Sequence, residues 1–304
     1  MTRPHIEPYC EIDQPYKRFS LQAFPKGAWY KVMSLDTATG ASSLKMRFDA
    51  GFRRPPGLAF SDMELFILRG TVRIGGVTCG EGQYCFVPAG FALGAMSSPE
   101  GFEALVFWND GLPDFRESDE HHRYALTDAF VTTNGYTDAP WITTARYQPG
   151  VATGCCVKPL RVDPLTRATT FLYSMVPPYR QDNISYHDCC EESYHIYGTS
   201  WMMQFGNLPT GGYFWRPEYI NHGAFASELG VLGFGRTDSQ LHNYFHFNPW
   251  SSPEENRQRS AAQWARNKPR LYEWVRSPDG HNHPHDFEYP DFDYVEGELA
   301  PKKG

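Results

Sequence analysis

Two short stretches of the chain carry residue types that could do chemistry together. Between Ser185 and Gly198, His187 is followed after three residues by Glu191, and six more residues lead to Gly198. Between Gly211 and His222, five residues separate Gly211 from Pro217, and Tyr219 and His222 follow. Imidazole nitrogen and carboxylate oxygen are donors that zinc and the first-row transition metals accept. His187, Glu191 and His222 together therefore look like one metal site. Taken singly, His187 or His222 would more often be a hydrogen-bonded core histidine.

The pair of stretches resembles the two-part signature of the cupin superfamily, G-x5-H-x-H-x3,4-E-x6-G and G-x5-P-x-G-x2-H. The sequence departs from it twice, with Ser185 at the first histidine and Tyr219 at the glycine. At those positions the three donors favour metal binding, because neutral imidazoles and a carboxylate converging inside a barrel are costly to bury without a cation. The resemblance implies one divalent transition metal per chain, iron(II) by preference, with zinc, manganese or nickel as alternatives. Two histidines and one carboxylate leave three positions open on an octahedral ion, as in the facial triad of non-haem iron(II) oxygenases, although catalytic zinc uses the same donors. Serine at position 185 implies weaker binding, a water in place of the histidine, or a ligand from elsewhere.

Other polar residues lie close by in sequence. His195 falls on the same strand face as Glu191 but four residues along, about 13 Å at about 3.3 Å per residue. Sharing one ion is awkward at that distance, so His195 is a candidate catalytic residue one layer away, able to move a proton or bond a substrate oxygen; a purely structural role is the alternative. Arg216 and Tyr219 flank the Pro217 turn and are the candidate substrate-binding residues for an anionic or carbonyl compound, or else braces for the loop. Glu192 faces away and suits a structural job, and Cys189 and Cys190 suit packing better than ligation. His242, His246, His281, His283 and His285 lie outside the signature and are not expected to be ligands.

The elements that must position these residues are short strands. Alternating segments such as Ser43 to Phe48, Glu64 to Leu68 and Gln83 to Val87 are bounded by Gly or Pro turns. Landmarks also recur: Lys31 with Asp36 returns as Lys158 with Asp163, Gly70 as Gly198, and Gly82 with Pro88 as Gly211 with Pro217, the offset drifting by one residue at a time. Such register argues for a duplicated domain. In that alignment Ser185, His187, Glu191, His195 and His222 fall on Gly57, Ala59, Met63, Ile67 and Leu93, none a strong ligand. The expected organisation is an N-terminal arm (1–18), a cupin domain lacking metal ligands (19–131), a linker (132–150), a metal-binding cupin domain (151–250), and a C-terminal helix with an acidic tail (251–304). Ser252, Pro253 and Glu255 predict the helix start, and Pro269 its end.

Composition narrows the function classes. The 304 residues carry 18 Tyr, 21 Phe, 27 Gly and 24 Pro, which points to an all-β chain rich in turns. A formal charge of −7 without a basic block argues against nucleic acid or an anionic membrane surface. Residues 1 to 30 show no leader pattern, and the seven cysteines suit reduced, mostly buried thiols, so a cytoplasmic protein with a small-molecule substrate is expected; a homodimer is left open. The resemblance implies a bicupin: two tandem jelly-roll barrels with a short C-terminal helix and an extended tail, only the second barrel loaded with metal. Fold does not fix reaction. The leading expectation is an iron(II) dioxygenase cleaving a C–C bond of a small oxygenated or aromatic compound. The alternatives are a metal-dependent lyase or isomerase and a cupin ligand-sensing module without catalysis.

Overall fold

Short runs that alternate apolar and polar residues can bury one face only by pairing into sheets and folding those sheets on each other. In the computed structural model, which describes residues 3–21, 23–146, 151–246, 248, 250–267, 292–295 and 298–301, they build two compact units. The first is made chiefly of Glu11–Pro140 and the second of Pro4–Cys10 with Trp141–Phe287. Each is an antiparallel jelly-roll barrel of the kind expected for a cupin, with one seven-stranded sheet. In the first unit that sheet faces a four-stranded one, and in the second a five-stranded one.

The two large sheets repeat one pattern. In the first, Met63–Gly70 lies between Gln83–Val87 and Phe102–Trp108, followed outward by Ser42–Phe48 and Ala28–Leu35. In the second, Glu191–Gly198 lies between Gly212–Arg216 and Val231–Thr237, followed by Thr169–Met175 and Cys155–Val162. Even the irregularity recurs: along Phe102–Trp108 the register skips Leu68, and along Val231–Thr237 it skips Ile196. The turns after Ala28–Leu35 and Cys155–Val162 close alike, with Asp36 accepting the N–H groups of Ala38 and Thr39, and Asp163 those of Leu165 and Thr166.

Two segments differ from the sequence reading. Ile6–Cys10, expected to be part of a surface arm, is a strand of the second unit, with Ile6 opposite Trp215 and Tyr9 opposite Tyr213. Ile6 and Tyr9 are buried, because the free edge of Gly212–Arg216 offers unpaired backbone groups and an apolar face to cover. In the first unit the matching edge, beside Gln83–Val87, is covered by Val131–Asn134, most of which was expected to be linker.

The first barrel is filled. Ile67, Leu93, Phe48, Phe52, Phe102 and Trp108 belong to one buried apolar cluster, with Met63 packed against it. The helix Pro253–Asn267 starts as expected, with Ser252 N–H donating to Glu255 at 2.7 Å and Glu255 N–H to Ser252 Oγ at 3.1 Å. Of the acidic tail, only the paired strands Phe292–Val295 and Glu298–Pro301 are described; His281, His283 and His285 lie outside the described residues. All seven cysteines are free thiols. Among the described residues no helix is long and apolar enough to cross a membrane.

Candidate metal centre

Three strand ends of the second barrel carry the three donors. His187 closes Tyr179–His187, His222 opens His222–Ser227, and Glu191 opens Glu191–Gly198 on the facing sheet. Their ligating atoms lie within 4.8 Å of one another. The two Nε2 atoms are 2.8 Å apart, and Glu191 Oε2 is 3.6 Å from His187 Nε2 and 3.7 Å from His222 Nε2. Ser185, at the place of the first histidine of the cupin signature, stands directly opposite His222 in the register.

The hydrogen bonds behind the rings decide what those facing atoms are. His187 Nδ1 is 3.3 Å from the His242 carbonyl and His222 Nδ1 is 2.9 Å from the Ile220 carbonyl. Since a carbonyl only accepts, each Nδ1 carries the hydrogen and each Nε2 of a neutral ring is left with a lone pair. Burial, with His187 and Arg216 adding to it, holds the His222 imidazole well below the usual histidine range, so the neutral form prevails. The His222 Nε2 lone pair thus lies 2.8 Å from His187 Nε2 and beside Glu191 Oε2, a buried oxygen with no hydrogen-bond partner. A cation placed between them serves all three donors at once, and an ion about 2.1 Å from each nitrogen spans a gap of this size. The donor set fits a divalent metal.

Further residues hold the ligands in place. His242, read from sequence only as an unlikely ligand, supplies the carbonyl behind His187; its own ring is fixed by Asp188, 2.9 Å from Nδ1, and Tyr244 Oη donates to the same carboxylate at 3.1 Å. Tyr219, at the family's glycine, keeps a left-handed φ of 68° and donates its N–H to the His187 carbonyl at 2.8 Å. The structure thus gives Tyr219 a backbone task, beside whatever its ring does.

Arg216 is brought to the group, as the cross-strand partner of Glu191. His195 is buried in the same barrel but outside the group, its Nδ1 2.9 Å from the Leu208 carbonyl and its Nε2 3.5 Å from Ser200 Oγ. Burial pushes its pKa down to about 4. Cys189 and Cys190 are buried thiols whose pKa values burial raises well above the usual range, so they stay protonated. Glu192 turns away, to Tyr213 Oη and Arg236.

Two wall residues escaped the sequence reading. Tyr173 bonds Ser193 Oγ at 2.7 Å and packs edge-on to His195, its ring occupying the space that a side chain at Gly233 would need. The alternation Gly233-Phe234-Gly235 was its only signal. Glu7, on the strand Ile6–Cys10, acts electrostatically on Arg216, and no local pattern announced it.

In the first barrel the alignment drawn from sequence meets the same geometry. Gly57 bridges Leu93 as Ser185 pairs with His222, and Glu64 pairs with Phe86 as Glu192 pairs with Trp215. Ala59, Met63, Ile67 and Leu93 offer no nitrogen or carboxylate there.

The architecture is one that solved structures share. A candidate dioxygenase from Nostoc punctiforme aligns with a TM-score of 0.73 at 19% identity, over 80% of this chain and 86% of that one. Oxalate decarboxylase from Bacillus subtilis aligns with a TM-score of 0.50 at 14% identity, over 90% and 86%. A variant of that enzyme gives 0.50 at 14%, over 90% and 87%. At these identities the likeness is one of fold. No curated protein matches the chain. The sequence model of one family, "Domain of unknown function (DUF4437)", matches residues 27–244, and the chain belongs to that family.

Proposed function

We propose that the second barrel holds one divalent metal through His187, Glu191 and His222 and is a metal-dependent enzyme, foremost an iron(II) dioxygenase that cleaves a C–C bond of a small oxygenated or aromatic compound. One observation carries the metal: two buried Nε2 atoms 2.8 Å apart beside a buried carboxylate oxygen without a hydrogen-bond partner. The first barrel, with Leu93 and Ile67 in its apolar cluster, is read as a copy without a site. Iron(II) held there would supply dioxygen activation and Lewis acidity.

The chain's own residues do the rest. The His242 and Ile220 carbonyls fix which nitrogen of each ring faces inward. Met202, Phe205, Phe214 and Phe225 surround the interior with apolar surface that excludes water. His195, neutral and bonded on both sides, is proposed as a wall residue that ties Leu208 and Ser200 together, in place of a proton carrier. Tyr219 is proposed to serve the substrate only indirectly, through the His187 carbonyl.

Elemental analysis of protein purified without added metal, followed by substrate screening with and without oxygen, tests this reading. We expect about one metal per chain, lost in His187→Ala and Glu191→Ala while the circular dichroism spectrum is kept. Oxygen uptake matched to substrate loss supports the dioxygenase, and full turnover under nitrogen moves the assignment to a lyase or isomerase. Undiminished metal in both variants would overturn the site.

A further inference from the structure

We infer that Arg216 is an anion-binding residue and that the second barrel acts on a small organic anion, its carboxylate or enolate held by the guanidinium and its apolar body by the surrounding aromatic rings. This deepens the metal-dependent reading and rests on it for the reacting centre; the anion site itself stands on Arg216.

Arg216 is 3% exposed. A guanidinium carries five N–H donors in a fixed fork and must find acceptors when buried. Here Nε and Nη1 have no hydrogen-bond partner, and Nη2 has only the thioether sulfur of Met202 at 3.3 Å, a weak acceptor. The rings of Phe214 and Phe205, with centroids 4.5 Å and 5.6 Å from Cζ, provide cation–π contact but no acceptor. Glu191 sits opposite in the register and Glu7 lies nearby, yet neither pairs with the guanidinium. Structural arginines do not stay buried in this state, because each unsatisfied charged donor carries a desolvation penalty. A ligand oxygen removes it.

The charges ask for the same ligand. Glu191 and half-exposed Glu7 act on Arg216 only from a distance, so an anion that bonds the guanidinium directly supplies the close negative charge it lacks, in a low-dielectric space. Phe225 packs edge-on to His222 and joins Phe205 against the cluster of Met202, Leu208 and Phe214, so apolar surface runs between Arg216 and the metal ligands. The matching substrate has an anionic head, a short apolar or aromatic body, and an oxygen for the metal end.

The test compares benzoate and phenylacetate with their neutral amides, by calorimetric titration of the protein as purified, with metal measured in the same samples. Wild type is expected to bind at least one carboxylate about tenfold or more tighter than its amide, the scale of a charged hydrogen bond. Arg216→Met is expected to erase that preference, keep the metal and melt no lower than wild type, because it removes a buried unpartnered charge. Arg216→Lys, which keeps the charge without the fork, is expected to lose most of the preference, and it decides the matter if Arg216→Met fails to fold. Equal affinity for acid and amide, no binding of either carboxylate, or a preference unchanged in Arg216→Lys overturns the inference. Anion preference in protein devoid of metal leaves this inference standing and sinks the metal reading alone; metal without anion preference does the reverse.

Discussion

Asp188 touches neither Glu191 nor His222, yet it fixes the backbone that aims His187. Its carboxylate clamps the His242 ring and Tyr244 Oη, and the His242 carbonyl in turn sets the His187 tautomer. Partners of this kind are typically worth about 10- to 100-fold in metal affinity. Asp188→Ala is therefore expected to weaken metal binding by about that factor in a chelator competition, with the strand content unchanged; unaltered affinity would show that the clamp is idle. His195 poses the complementary question. His195→Gln should keep the metal and most turnover while losing about 1–2 kcal/mol of stability, as its bonds to Leu208 and Ser200 weaken. A turnover loss of about 10²-fold or more with stability intact would instead assign it proton transfer. At this scale the sequence was legible where spacing alone brought donors together, as for His187, Glu191 and His222. It was not for Asp188 or Tyr173, whose roles depend on partners 54 and 20 positions away.

Strands and turns were readable where glycine was obligatory. Gly198 has a φ of 86°, and a Cβ there would lie 2.2 Å from the Gly230 carbonyl oxygen; Gly70 faces Gly101 in the same way. No other residue fits, so these positions mark the repeat however far the rest diverges. Gly198→Ala is expected to cost at least about 2 kcal/mol, from the unfavourable φ and the clash together, measured by denaturant unfolding. A neutral substitution would mean that this turn relaxes freely. The strand Ile6–Cys10 was unreadable for the opposite reason. It is short, it contains Pro8, and its partner lies about 200 residues on, as the Cys10–Thr210 contact records. Removing residues 1–10 should bare the edge of Gly212–Arg216 and strip cover from Tyr213, giving a lower melting temperature and concentration-dependent aggregation.

Across the whole molecule, two barrels of one pattern have put different things inside, and their stabilities should answer to different agents. The second gains stability from whatever binds its donors, about 2.7 kcal/mol when the free metal is 100 times its dissociation constant. The first has an apolar interior and a buried ion cluster, in which Glu11 accepts from Lys31 Nζ at 2.5 Å and Lys45 Nζ at 2.7 Å. Burial pushes the Glu11 carboxyl up, but Lys45 and Lys31 outweigh it and hold the pKa below the ordinary 4.5. A carboxyl whose folded pKa is depressed contributes stability that is whole above its unfolded pKa and is lost as pH falls through the folded value. Acid should therefore weaken the first barrel through Glu11, whereas chelation should weaken only the second. Scanning calorimetry is expected to show two transitions, one lowered by a chelator at neutral pH and the other falling steeply below about pH 4.5. Glu11→Gln should lower that other transition at neutral pH, by the roughly 3–5 kcal/mol typical of a broken buried pair, and flatten its acid dependence. Leu93→Asp should lower the same transition without altering metal content. If a chelator and Glu11→Gln instead move a single transition together, the barrels unfold as one unit and the separation drawn from their interiors is wrong.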